Sequence, residues 1–573
     1  MRIEAIDDLP LLGSELKHLD LAQLLDKHFP DHGLWQGITG GQLTLGWLLY
    51  ILSEGDHRLS HVEDWASLRI NTLRAILGTP ELRQIDFSDD RLGRLLDRFS
   101  DDIAWRKFEQ SLSHRTVEVY QLNRLSETEE LNTQVIRTDS FHAPQFREVG
   151  ELFGFGYSKH RRADQPFCKV MMASLDPLSL PMAVEVVKGS GPDTDHYLPL
   201  IESVKASLAN PGNLYVGDSQ LGSISNRASI HGGGDYYLCP LSRKQCNDEV
   251  RSTYLDQLPE KIESLPSIFT QEDTHRRSAY YFEIPLRITH QEASWEERRI
   301  LVYAPVYAQG LIDSFNNRLN EAQQALELLV ISKRGRRNPK TIDQLHARVA
   351  QLIKKYKVQG CFEISCSEDR QQYTVQKHKE RKTETREKIT LSMSLRRVEE
   401  IIKQKRRALG WQIYASNALK EDISADLLVK CYRNEFRIEH LFDYIINRDV
   451  GLLPIYLKKE HRVKALIRLL SIAMRCSALL QYQVRKTLRQ EKTIISGIYP
   501  GNKGRKTDQP TTPMLLRAFK GIAIAWVKMG EGQLIQITPL SDIQNNILSL
   551  LKKNNLYLEF EKLLETIPDL RET

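Results

Sequence analysis

At Thr133 the apolar pattern of this chain changes its period. Upstream, apolar residues recur every three or four positions, as in Leu21, Leu24 and Leu25 behind Asp20, or Leu92, Leu95, Leu96 and Phe99 behind Ser88. That is the spacing of amphipathic helices. From Thr133 onward short β-like runs take over: Thr133–Asp139, Phe167–Leu175, Pro181–Val187, Asn213–Asp218 and Tyr236–Pro240. The turn residues Asp176 and Pro177 join the second and third runs into a hairpin. A helical stretch from about Asp195 to Ala209, ended by Pro211 and Gly212, precedes the fourth.

Three strands, helix, strand, helix, strand is the order of a ribonuclease-H-like mixed sheet, in which the first and fourth strands lie side by side. An α/β fold of that type brings together Asp139, which ends the first run, and Asp218, which ends the fourth, across 79 residues of sequence. Hard carboxylate oxygens on rigid elements suit Mg²⁺, and a third carboxylate would complete a two-metal phosphoryl-transfer site. Ser424 to Ile446 contains no Pro or Gly, and Leu428, Cys431, Tyr432, Glu435, Glu439, Phe442 and Ile446 recur along one stripe. The pattern predicts a single helix with two carboxylates facing the core. A carboxylate pair one turn apart repels unless a cation or Arg intervenes. A metal ion answers that need, and so does a bridge to Arg433 or Arg437.

At 573 residues the chain exceeds one compact core. We expect a helical domain at 1–125, a ribonuclease-H-like domain split between 130–242 and 417–480, a β-rich basic insertion at 243–416, and a basic helical C-terminal region at 481–573. The insertion accounts for the 221 residues between Asp218 and Glu439. Its β-like runs include Ala279–Pro285, Arg299–Tyr303, Tyr373–Gln376 and Gly410–Tyr414.

Charge is concentrated there: Ile331 to Gly410 holds 22 Lys or Arg against 9 Asp or Glu, and Arg485 to Lys520 holds 9 against 2. Such excess is the footprint of a polyanion partner, or of a solvated face. The longest apolar stretch, Leu43 to Leu52, is far short of a membrane span. Seven scattered cysteines and a start without a basic-then-apolar signal suit a reduced cytoplasmic protein. Cys361 and Cys366 lack zinc-ligand partners and read as small buried hydrophobes. Arg91, Arg94 and Arg98 share a polar helix face, read as solvated. His142 reads as a surface or capping residue, and Asp193 and Asp195 as turn and helix-cap residues.

The ordered set Arg137-Thr-Asp139-Ser-Phe, Gly156-Tyr-Ser-Lys-His-Arg-Arg-Ala-Asp164, Tyr215-Val-Gly-Asp218-Ser and Tyr432-Arg-Asn-Glu-Phe-Arg-Ile-Glu439 resembles bacterial insertion-sequence transposases with a DDE site, of the insertion-sequence-four superfamily. The resemblance spans about residues 130 to 480. It implies a DNA transposase in which Asp139, Asp218 and Glu439 are catalytic and hold two Mg²⁺ or Mn²⁺ ions, with Glu435 as runner-up for the third carboxylate. It also implies double-stranded DNA as partner, at the element's ends and the target, and a homodimer on DNA, in a cytoplasmic, nucleoid-associated protein.

In that family the helix pattern carries Arg and Lys where this chain has Glu435 and Ile446. Arg433 and Arg437, or Lys458 and Lys459, then stand in for the missing phosphate contacts, with Tyr432 beside them. Trp411 takes either the place of a ring that holds a flipped base or that of a core residue at a strand end. Lys333, Arg334, Arg336 and Arg337 form a basic loop suited to the DNA backbone. An inactive DNA-binding relic and a nuclease without joining activity are the rival readings.

Overall fold

The five β-like runs pair in the order third, second, first, fourth, fifth in the computed structural model. The structure describes residues 2–125, 131–156, 164–191, 194–208, 210–268, 279–331, 338–376, 383–447, 450–502, 504–529 and 532–565. β1 (Val135–Pro144) runs antiparallel to β2 (Phe167–Leu175), and β2 antiparallel to β3 (Leu180–Lys188). On its other side β1 runs parallel to β4 (Leu214–Gly217), and β4 parallel to β5 (Tyr236–Pro240). The expected adjacency of first and fourth strands is therefore present. Every residue of β2 is buried, as its unbroken apolar run requires of a strand covered on both faces.

The chain divides into two compact units, and these five strands belong to the first, formed by Met1–Pro240, Arg287–Glu297 and Ala415–Thr573. Helix α1 (Asp102–Val119) packs on β3, and α2 (Thr194–Lys205) packs on β2 and β3. After α3 (Ala425–Arg433) and α4 (Phe436–Asn447), the 32-residue α5 (Glu460–Glu491) also lies against β3.

Two arginines on the buried side of α5 tie these layers together. Arg468 donates to the carbonyl of Phe99 at 2.9 Å and to Asp102 at 2.5 Å. Arg475 donates to Ser113 Oγ at 2.9 Å and to the carbonyl of Met182 at 3.3 Å. Nearby, buried Glu109 accepts the amide of Val184 at 3.1 Å. Desolvation pushes its carboxyl up to about 7, against the opposing pull of Arg475.

Three expectations for this unit need correction. Arg91 and Arg98 are not a solvated face: both lie over the Trp35 ring, at 4.6 and 5.0 Å, and pair with Asp86 and Asp31 at 2.6 Å each. Of that trio only Arg94 is exposed. The C-terminal region is not wholly helical, because Ala523–Met529 and Gly532–Ile537 form antiparallel strands, and Arg2–Ala5 adds a third. His142 is buried and stacked on Phe167 with ring centroids 4.2 Å apart. It faces inward because alternate residues of a strand buried on both faces leave it no open side.

The second unit comprises Leu241–Leu286 and Arg298–Tyr414. Its long antiparallel ribbon pairs Phe362–Gln376 with Thr383–Arg397. The ribbon's base joins helices Pro305–Glu327 and Ile342–Tyr356 around Phe315, Leu319, Cys361, Phe362 and Ile402. A second cluster in the same unit gathers Tyr254, Leu255, Leu301, Trp411 and Ile413. No helix among the described residues is long and apolar enough to cross a membrane.

Candidate active site

The register of β1 against β4 sets the site. Arg137 pairs with Val216 and Thr138 with Gly217, so Asp139 and Asp218 follow at equivalent positions on neighbouring parallel strands, which are spaced about 4.8 Å apart. Gly217 makes the close approach possible. A Cβ there would stand 2.7 Å from Thr138 Oγ1 and 2.8 Å from Leu221 Cδ2. Asp218 Oδ1 accepts the Tyr197 hydroxyl and the Gln220 amide, each at 2.8 Å. Asp139 Oδ1 lies 2.7 Å from the amide of Ser140.

The expected continuous helix is two helices. α3 stops at Arg433 and α4 starts at Phe436, with Glu435 in the break. No Pro or Gly causes it. In an unbroken helix the amide of Glu435 would donate to the carbonyl of Cys431. Here Arg137 Nη2 donates to that carbonyl at 2.5 Å, and the Glu435 amide turns instead to Tyr432 at 3.0 Å. A side chain inserted into the backbone ladder is a recognised cause of a sharp kink.

The break alters which glutamate meets the aspartates. Arg137, Thr138, Asp139, Val216, Gly217, Tyr432, Glu435 and Ile438 line one small recess. Glu435 is half-buried there, while Glu439 is exposed. The Glu435 carboxyl is pushed up, first by desolvation and then by the negative charges of Asp139, Glu439 and Asp218, which Arg137 partly offsets. The charges of the other three carboxylates are thus felt at Glu435. As a donor set the four carboxylates suit a hard divalent cation. Among the described residues, however, no three His, Cys, Asp or Glu side chains stand close enough to hold one ion in this conformation.

Tyr432 lines the recess, and Arg433 ends α3, half-buried. Arg437 donates to Asp176 at 3.3 Å, so its guanidinium serves an internal ion pair. Trp411 is 4% exposed within the core of the second unit, which supports its core role over that of a base-holding ring. Ile446 is buried, and Lys458 and Lys459 are exposed. Lys333, Arg334, Arg336 and Arg337 lie outside the described residues, as do Asp193 and most of the segment between Gly156 and Asp164. Sequence reasoning read Arg137 only within a motif and Asp176 only as a turn residue, and it missed their pairing and Tyr197. Of these only Asp176, a charged residue between two apolar runs, carried a local signal.

Residues 1–109 match a family described as a domain of unknown function, DUF4277. No curated protein matches the chain. A cryo-EM structure of a piggyBac transposase synaptic complex with hairpin DNA is similar at a TM-score of 0.33 and 9% identity, over 98% of this chain and 83% of that one. So slight a likeness carries no weight for fold or function. Residues 133–476, more than half of the chain, match the family described as "Transposase DDE domain". They include both aspartates with the five strands described above, and both glutamates, and the chain belongs to the transposase DDE domain family.

Proposed function

We propose that this protein is an insertion-sequence transposase of the bacterial insertion-sequence-four type, cutting and joining DNA through Asp139, Asp218 and Glu439 with divalent metal, Mg²⁺ or Mn²⁺. The supporting observation is the placement of Asp139 and Asp218 at equivalent positions, one residue beyond the last parallel pair of β1 and β4, with their charges felt at the break between α3 and α4. Two glutamates flank that break. Glu439 completes the triad, and Glu435 is a fourth carboxylate in the recess.

The residues divide the work by what holds them. The Tyr197 hydroxyl and the Gln220 amide occupy one oxygen of Asp218 and fix its rotation. Asp139 is set by the β1 ladder, and Glu439 by the first turn of α4. Bound cations supply charge against the developing negative oxygens and lower the pKa of an attacking hydroxyl. End cleavage and strand transfer are then the same in-line displacement, with water as nucleophile in one and a DNA 3′-hydroxyl in the other. Exposed Lys and Arg of the second unit supply phosphate contacts, and two copies of the chain act on paired element ends.

The test is an excision and joining assay on a plasmid carrying the element with its native ends, comparing wild type with Asp139→Asn. Loss of both products, with end binding retained, supports the reading. Unchanged activity of the variant would sink it. A wild type that cleaves but never joins pre-cut ends bearing 3′-hydroxyls would be a nuclease, and one that only binds would be a relic.

A further inference from the structure

The triad leaves unexplained a fully buried charge at its back. Asp176 is 0% exposed, in the turn between β2 and β3. Its Oδ2 accepts Arg137 Nε at 2.5 Å and Arg437 Nη1 at 3.3 Å. Arg137 stands two residues before Asp139 on β1, and Arg437 lies on α4 between Glu435 and Glu439. Arg137 also holds the carbonyl of Cys431 at the end of α3. The same turn reaches α4 a second time, where Ser179 Oγ donates to the carbonyl of Arg437 at 3.4 Å.

Burying an aspartate against two guanidiniums is a poor route to stability, since desolvation cancels much of the attraction. It does fix direction, because a guanidinium donates through a planar fork. Here the direction fixed is that of the break carrying Glu435 relative to the strand carrying Asp139.

We propose that Asp176 is a positioning residue, which through Arg137 and Arg437 sets the break and the first turn of α4, and with them Glu435 and Glu439, against Asp139 and Asp218. This rests on the metal-site reading above. Asp176 touches neither DNA nor cation in this scheme. It acts on α4 as an outer partner acts on a metal ligand, where removal typically weakens metal binding roughly 10- to 100-fold.

The test is Mn²⁺ binding by calorimetry on the full-length protein without DNA. Asp139→Asn should abolish most binding, and Asp176→Asn should weaken it by roughly tenfold or more. In a background carrying Glu435→Gln and Glu439→Gln, Asp176→Asn should produce no further loss, because the residues it positions are gone. If Asp176→Asn fails to fold, Arg437→Gln removes only the α4 arm of the clamp and should show the same loss and the same non-additivity. An affinity within twofold of wild type in the folded variant, or a loss that persists in the glutamine background, overturns the proposal. Mn²⁺ affinity untouched by Asp139→Asn would instead remove the metal-site reading, and the proposal with it.

Discussion

The guanidinium of Arg137 occupies the carbonyl of Cys431, the acceptor that an unbroken helix would have given to the amide of Glu435. One hydrogen bond between residues 294 positions apart thus meets the chain where one helix ends, beside the Asn434 amide that shares the same carbonyl at 3.3 Å, with a glutamate in the turn that follows.

Replacing Arg137 with Met should return the Cys431 carbonyl to Glu435 and join α3 to α4. The Glu435 amide would then gain protection in hydrogen exchange. Stability should fall by about 3 kcal/mol in chemical denaturation, because buried Asp176 loses the charge and the short hydrogen bond of Arg137. Unaltered exchange at Glu435 would show that Arg137 does not cause the break.

The two glutamates are separable by activity. We expect Asp139→Asn, Asp218→Asn and Glu439→Gln each to lower end cleavage by roughly a thousandfold or more, as loss of groups acting as one unit does. Glu435→Gln should cost about tenfold. The reverse order for the two glutamates would move the third catalytic position into the helix break.

Gly217 should not tolerate alanine. The added methyl meets Thr138 and Leu221 at less than 3 Å, and overpacking of this kind costs about 1–3 kcal/mol. Because the strain falls between β1 and β4, Gly217→Ala should also weaken Mn²⁺ binding. A variant as stable and as competent in binding as wild type would show that the strands separate freely.

Glu109 gives the fold a pH dependence of defined sign. Its folded pKa of about 7 lies above the ordinary value of 4.5, so between those values the folded state holds a proton that the unfolded chain has released. Its contribution is complete below pH 4.5 and is lost as pH rises through 7, on the order of 3 kcal/mol in total. Glu109→Gln keeps the neutral form throughout, and its denaturation midpoint should vary less between pH 5 and 7.5 than that of wild type.

What was legible in the sequence is what local pattern encodes. β-branched and apolar runs between turn residues gave the strands, and their order implied the meeting of Asp139 and Asp218. The break at Glu435 was not legible, because Tyr432 to Glu439 contains no helix breaker and the cause arrives from another strand. Arg91 and Arg98 were misread for a related reason: a charged stripe looks solvated until a distant Trp35, Asp31 and Asp86 are brought beneath it. The C-terminal strands did carry a signal, in the alternation of Ile524 with Trp526 and of Ile535 with Ile537.

The strand Arg2–Ala5 finds its partner in Ala523–Met529, and the amides of Ile6 and Asp7 both donate to the carbonyl of Ile522. During synthesis the strand Arg2–Ala5 is made long before its partner and must wait for it. Until Ala523–Met529 emerges, Arg2–Ala5 has no strand to pair with, and a message cut short before that point leaves its backbone donors and acceptors unmatched by this ladder.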